Sequence, residues 1–200
     1  MNRRLSALLF AAALTICWPS WTDGQQIRAY FSPRQGLSRA IIDELDKAKT
    51  SIDIANYQLS YRPIGQAIAA AQKRGLAIRI VLDPAQEGAN SPLPRMLRAA
   101  NVQQRTDHKE NLQHNKYAII DGHLLITGSA NWSANAEERN AENIVIIDDA
   151  STAAAFATDF EKHWQHSSPY KVGEGRARHR TPPPIPPFPP NTSPRAKDHQ

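Results

Sequence analysis

The pair Asp121-Gly122 stands between two apolar runs, Tyr117-Ala118-Ile119-Ile120 and Leu124-Leu125-Ile126-Thr127. Asp-Gly readily takes two consecutive positive φ angles, so this stretch commits the middle of the chain to a β-hairpin with a two-residue turn. Counting outward from that turn sets a register. Ile120 faces His123, Ala118 faces Leu125, Lys116 faces Thr127 and His114 faces Ser129. Strand alternation places His114 and Lys116 on one side of the sheet. An imidazole, an ammonium and a hydroxyl therefore gather at the open end of the hairpin, and Asn131 follows two residues beyond Ser129. These are groups that an anionic phosphoryl centre requires.

Elements of two periods surround the hairpin. Short apolar runs at 27–31, 51–57, 77–82, 102–105 and 144–147 read as strands, and amphipathic stretches at 36–48, 64–73, 92–100 and 151–165 read as helices. This alternation predicts an α/β fold, a layered α-β-α sandwich with a mixed, largely parallel β-sheet flanked by helices. There is no internal repeat. Two hundred residues suffice for one such domain with appendages.

The appendages are visible in composition. Two arginines precede an apolar stretch of about 14 residues at 5–18, too short to span a bilayer and suited to a signal-peptide core. Residues 1–22 are expected to be an export signal, with Ser20 and Thr22 as the small residues before the cut. Ile16 stands where a lipoprotein signal ending at Cys17 would need a small residue, which argues against lipidation. Cys17 is the only cysteine, so no intrachain disulfide and no cysteine-based zinc site can form. Eight of the 15 prolines lie between Pro182 and Pro194, so residues 169–200 read as a Pro-rich, basic, disordered tail after a domain at 23–168. The net charge of +5 belongs to the ends, since residues 24–170 carry 16 Lys/Arg and 16 Asp/Glu. A globally basic surface is therefore no argument for a nucleic-acid partner, and any anion site must be local.

The spacing His114-x-Lys116-x4-Asp121, followed by Gly128-Ser129-x-Asn131, resembles the signature of the phospholipase D superfamily. The stretch from Asn131 to Glu137, the pair Glu142-Asn143, Tyr30-Phe31-Ser32-Pro33, and Arg74-Gly75 with Ile80-Val81-Leu82-Asp83 are also similar to that family. The resemblance runs from about residue 27 to 164. It is nearest to the small, exported, single-motif endonucleases of the family, of the type found on conjugative plasmids. Gln58-Leu59-Ser60 departs from relatives that carry a small hydroxyl residue earlier, which bears on the wall of the substrate groove.

The resemblance implies two-step hydrolysis of a phosphodiester through a phosphohistidine. His114 would be the nucleophile and a second histidine the general acid, then the base. With one motif per chain, the second histidine would be His114 of another subunit in a homodimer with a shared site. The implied catalytic set is His114, Lys116, Asp121 and Glu142. Lys116, Ser129 and Asn131 would bind phosphate, and Glu142 would accept from the His114 ring and fix its tautomer. No metal or cofactor is implied. Asp121 has odd parity to Lys116 and sits at the turn, so its local reading is structural.

Other residues have plainer readings. Trp132 reads as packing and Asp53 as structural, as does Asp83, with a place at the groove as its alternative. Gly122 and Gly128 read as turn glycines. His108, His163, His166 and His179 read as surface residues. A metal set of His108, His114 and His123 is opposed by the hairpin register, which separates His114 from His123. The leading expectation is an exported, metal-independent, nonspecific endonuclease, periplasmic or secreted, acting on DNA or RNA as a homodimer without stable membrane insertion after signal removal. A lipid phosphodiesterase and a non-catalytic phosphate- or DNA-binding module are the alternatives.

Overall fold

A computed structural model describes residues 26–87 and 92–171; the expected export signal and the Pro-rich segment from 172 onward lie outside the described residues. The elements run β1 (Gln26–Phe31), α1 (Leu37–Lys47), β2 (Ser51–Asn56), α2 (Arg62–Lys73), β3 (Ala77–Leu82), α3 (Pro92–Ala99), β4 (Gln103–Thr106), β5 (Lys116–Ile120), β6 (Leu124–Gly128), α4 (Ala134–Glu138), β7 (Asn143–Asp148), α5 (Ala150–His166) and β8 (Ser168–Pro169). Local chemistry marks several boundaries. Proline stands in the first turn of α2, where no helical N–H is lost. The Asp149 carboxylate caps α5 by accepting from the Thr152 N–H at 2.7 Å.

The strands form one sheet in the order β1-β7-β6-β5-β2-β3-β4-β8. Helices cover both faces. On one side Leu37, Ile41, Ile64, Ile68 and Leu97 pack on Ile52, Ile54, Ile80, Ile126 and Ile146. On the other, Ala153, Phe160 and Trp164 of α5 pack on Tyr117, Ile119 and Leu125. The second face also carries a part-buried charge cluster. Arg79 forms a bidentate pair with Asp53, its strand partner, at 2.8 and 2.7 Å, and reaches Glu161 at 2.9 Å. Its guanidinium lies over the Phe160 and Trp164 rings at 4.9 and 5.3 Å. Asp53 is structural.

The layered α/β architecture and the mixed sheet agree with expectation, but the sheet is not largely parallel. Only β2–β3 and β3–β4 pair in parallel, and the other five neighbours are antiparallel. Parallel pairing needs a crossover, and only α2 and α3 provide one between neighbouring strands. The second half of the chain returns through short connections.

The hairpin register also differs by one residue. Asp121 and Gly122 take positive φ (52° and 72°) as expected, and the His123 N–H donates to Ile120 O at 3.2 Å. However, the ladder pairs Ile120 with Leu124, Ala118 with Ile126 and Tyr117 with Thr127, leaving His123 as an extra residue. Burial decides this. A two-residue loop would set His123 opposite Ile120 in the core, whereas the observed register puts Leu124 and Ile126 there and leaves His123 exposed.

Two further expectations are corrected. The fold continues past residue 168: Pro169 pairs with Arg105, and Tyr170 is buried with its hydroxyl donating to Gln86 O at 2.7 Å. Gly128 is no turn glycine but the last residue of β6, and a Cβ there would lie 2.2 Å from Asn143 O of β7.

Asp121 locks the hairpin to the strand beside it. Its carboxylate accepts from the N–H groups of Lys49 (2.9 Å), Thr50 (2.7 Å) and Ser51 (3.1 Å) and from the Thr50 hydroxyl (2.8 Å). Partial burial alone would raise its pKa, but these donors outweigh it and hold the carboxyl at about 2. A depressed folded-state value means the contribution is complete above the unfolded pKa, near 3.8, and fades as pH falls toward about 2. Asp121→Ala is expected to lower stability by about 1 kcal/mol at neutral pH, as loss of a comparable cap does. Urea unfolding at pH 7 and pH 2.5 checks this, with the difference between variant and wild type shrinking at the lower pH.

Candidate active site

One edge of the sheet collects the chemistry. The C-terminal ends of β2, β3 and β6 meet the N-terminal ends of β5 and β7 there, because β5 and β7 run against their neighbours. Lys116 opens β5 opposite Asn56, and Asp83 follows β3. Ser129 and Asn143 face each other across the β6–β7 end, where the Ser129 N–H donates to Asn143 O at 3.1 Å. The absent Cβ of Gly128 permits this approach.

His114 precedes β5 and is exposed. The segment leading into it is fixed from behind: the Gln113 N–H donates to Asp83 at 2.9 Å, and Asn115 O accepts from the Tyr57 N–H at 2.9 Å. The Tyr57 ring packs against the imidazole with centroids 4.7 Å apart. The Lys116 ammonium lies 5.3 Å from the centre of the same ring and donates to His114 O. Tyr57 thus holds imidazole and ammonium side by side.

Electrostatics sets the protonation states. Partial burial lowers the His114 pKa, the Lys116 charge lowers it further, and Asp83 opposes both. Burial also lowers the Lys116 pKa, opposed by Glu142 and Asp83. At neutral pH the result is a neutral imidazole with a free ring beside a cation, the state a nitrogen nucleophile needs. An acid limb in kcat/KM is therefore expected below about pH 6.5, the ordinary imidazole value. A limb at or above that value in a pH–rate profile would contradict the assignment.

Both oxygens of the Glu142 carboxylate are held. Its Oε2 accepts from the Ser129 hydroxyl at 2.6 Å and its Oε1 from the Asn140 amide at 3.0 Å. Ser32 fastens its backbone: Ser32 Oγ accepts from the Glu142 N–H at 3.1 Å and donates to Asn140 O at 3.0 Å. Glu142 makes no hydrogen bond to the His114 ring, so the structure does not show the orienting contact expected between them. Ser129 differs as well. Its one proton goes to Glu142 while its oxygen accepts from the Asn143 N–H at 3.1 Å, so it positions Glu142 instead of offering a donor to phosphate. Asn131 has a buried Oδ1 with no hydrogen-bond partner among the described residues, which leaves its amide uncommitted. Asp121 lies at the far turn, away from this group.

Sequence reasoning missed Asn140 and gave Ser32 no role of its own, since Ser32 acts on residues more than 100 positions away. It also missed Asn56, a fully buried polar residue ending an apolar strand, with its Nδ2 unpartnered. Such a residue opposite Lys116 is a legible signal. Trp132 is buried, as its packing reading expects. His163 and His166 are half-buried, their side chains 14% and 20% exposed, where a surface position was expected.

A family model described as cardiolipin synthase, PLD-like domain, matches residues 41–164. Mouse mitochondrial cardiolipin hydrolase is 32% identical over 144 residues, 72% of this chain and 65% of that protein. A phospholipase D from Rickettsia bellii is 34% identical over 131 residues, 66% of this chain and 65% of that protein. The chain thus spans somewhat less than two thirds of these curated relatives. The crystal structure of Nuc, a phospholipase D family member from Salmonella typhimurium, superposes with a TM-score of 0.70 at 28% identity, covering 74% of this chain and 99% of that one. The family model, the motif spacing and the structural superposition agree: the chain belongs to the phospholipase D superfamily.

Proposed function

We propose that this protein is an exported, metal-independent endonuclease that hydrolyses nucleic-acid phosphodiesters through a phosphohistidine. The observation that carries the reading is the exposed His114 ring held beside the Lys116 ammonium by Tyr57 at the sheet edge. In the first step a ring nitrogen of one copy's neutral His114 bonds to phosphorus, the phosphorus–oxygen ester bond breaks, and the second copy's His114, protonated beside the bound phosphate anion, gives its proton to the leaving oxygen. In the second, water attacks phosphorus, gives its proton to the now neutral imidazole, and displaces His114. Lys116 and the Asn131 amide stabilise the charge on the non-bridging oxygens. One chain supplies one such histidine, so the acid comes from a second copy in a two-fold dimer. The exposed Phe31 and Leu112, near the site in sequence, are suited to that contact. Export rests on the N-terminal basic and apolar pattern.

A lipid phosphodiester is the second reading, favoured by the names of the hydrolase and phospholipase relatives. Among the described residues no helix is long and apolar enough to cross a membrane. The two readings separate when purified protein meets plasmid DNA and cardiolipin vesicles side by side in excess EDTA. Nicking of DNA with intact vesicles supports the endonuclease. Vesicle hydrolysis with intact DNA overturns it in favour of the lipid enzyme.

A further inference from the structure

Outside the active edge, four ligand-bearing side chains converge where β4 ends against the C-terminal turns of α5. Asp107, Glu110, His163 and His166 each direct one ligand atom into a space where all four atoms lie within 4.8 Å of one another. We propose that this cluster is a structural site for one divalent transition-metal cation of the zinc class, and that the bound ion clamps the segment that delivers His114.

The chemistry of the set matches such an ion. Two imidazoles and two carboxylates are borderline ligands suited to a tetrahedral divalent metal, and with neutral histidines they carry a charge of −2 that one dication cancels. Asp107 is fully buried, which makes compensation valuable. Metal–ligand bonds of about 2.1 Å put neighbouring ligand atoms about 3.4 Å apart. His166 Nε2 lies 3.4 Å from Asp107 Oδ2 and 4.0 Å from Glu110 Oε2. Both ring nitrogens of His166 are buried without a hydrogen-bond partner, an arrangement that wastes an imidazole unless something binds it.

The surrounding contacts fit the same picture. His163 Nδ1 is hydrogen-bonded to Asp107 Oδ2 at 2.7 Å, a contact that an entering ion replaces by drawing the two atoms apart, and its Nε2 sits 3.4 Å from Asp159 Oδ2. When Nδ1 takes the metal, the ring proton moves to Nε2, where Asp159 accepts it. That is the carboxylate–histidine–metal pattern that fixes ring orientation. Asp107 Oδ1 is already engaged by the Lys109 N–H at 3.0 Å, so Oδ2 alone is offered to the ion. His163 and His166, three apart, share one face of α5.

The position gives the site a purpose. Residues 107–113 run from the cluster directly to His114, and Gln113 is tied to Asp83 at their far end. A metal holding Asp107 and Glu110 to α5 would anchor the near end. The ion would then support the nucleophile's geometry without touching substrate, which keeps this site separate from the metal-free chemistry proposed above.

The test uses the full purified chain, stripped with chelator and desalted, with Zn2+ alone as the probe in calorimetry. One ion per chain is expected, with a rise in unfolding midpoint of about 5 °C or more at saturating metal. His163→Ala with His166→Ala should abolish both effects. Glu110→Gln lies on the exposed loop, preserves the fold and should weaken binding about tenfold or more. His114→Ala and His123→Ala should bind as wild type does. No zinc binding, or binding unchanged in the double-histidine and Glu110→Gln variants, would overturn the proposal. None of these readouts depends on catalytic activity, so failure here leaves the endonuclease reading standing, and the converse holds.

Discussion

His114→Ala is expected to lower the phosphodiesterase rate by about ten-thousandfold or more, because no other group in the site can form the covalent intermediate. The folded state should be untouched. The imidazole is exposed, and its ring makes no side-chain hydrogen bond among the described residues. The variant should therefore keep the wild-type unfolding midpoint and its affinity for substrate while losing turnover. Lys116→Ala is a useful companion. It removes a charge that stabilises the transition state and one cause of the lowered His114 pKa. Its residual activity should show an acid limb displaced toward higher pH. Nucleolytic activity that survives His114→Ala after repurification would remove the nucleophile from the account.

The second large effect is structural. Gly128→Ala is expected to destabilise the protein by about 3 kcal/mol and to abolish activity in the fraction that folds. The new Cβ would fall 2.2 Å from Asn143 O and 2.8 Å from Ile144 Cα, both backbone atoms that cannot rotate away. Relief requires β6 and β7 to part at the end that seats Ser129 and Asn143. Glu142 then loses the Ser129 donor that fixes its Oε2. Thermal unfolding and circular dichroism read the first effect, and specific activity per folded molecule reads the second. By contrast, Gly122 has open space around its missing Cβ and only a positive φ of 72° to maintain, so Gly122→Ala should cost much less.

The parts of the fold legible in the sequence are those governed by local periodicity. The apolar stripes of α1 and α2 and the alternation in β2 gave elements within a residue or two of their observed bounds. The hairpin was legible as a hairpin, since Asp121 and Gly122 supply the two positive φ angles. Its register was not, because turn chemistry alone does not know that Leu124 must join the core and His123 must leave it. Sheet polarity was misjudged for a related reason: the order β1-β7-β6-β5-β2 depends on pairings between distant segments.

The site divides along the same line. His114 and Lys116 are near neighbours along the chain in any register, and the structure places both against the Tyr57 ring. The work of Ser129 could not be read so, because its proton is claimed by Glu142, thirteen residues away and brought near by β6–β7 pairing. The cluster around the buried Asp107 was invisible for the same cause. His163 and His166 look like solvent-facing residues on a polar helix end until the end of β4 places a fully buried carboxylate against them.

The central claim is that phosphorus becomes bonded to His114. A short single-stranded oligonucleotide, mixed with the protein in EDTA below the unfolding temperature of the chelated form, allows a direct measurement. The reaction is quenched in alkaline denaturant, which preserves phosphorus–nitrogen bonds, and digested for peptide mass spectrometry. The expected result is a phosphonucleotide adduct on the peptide containing His114, absent from His114→Ala. Cleavage of the oligonucleotide with no adduct on that histidine, or with the adduct on another residue, would contradict the account.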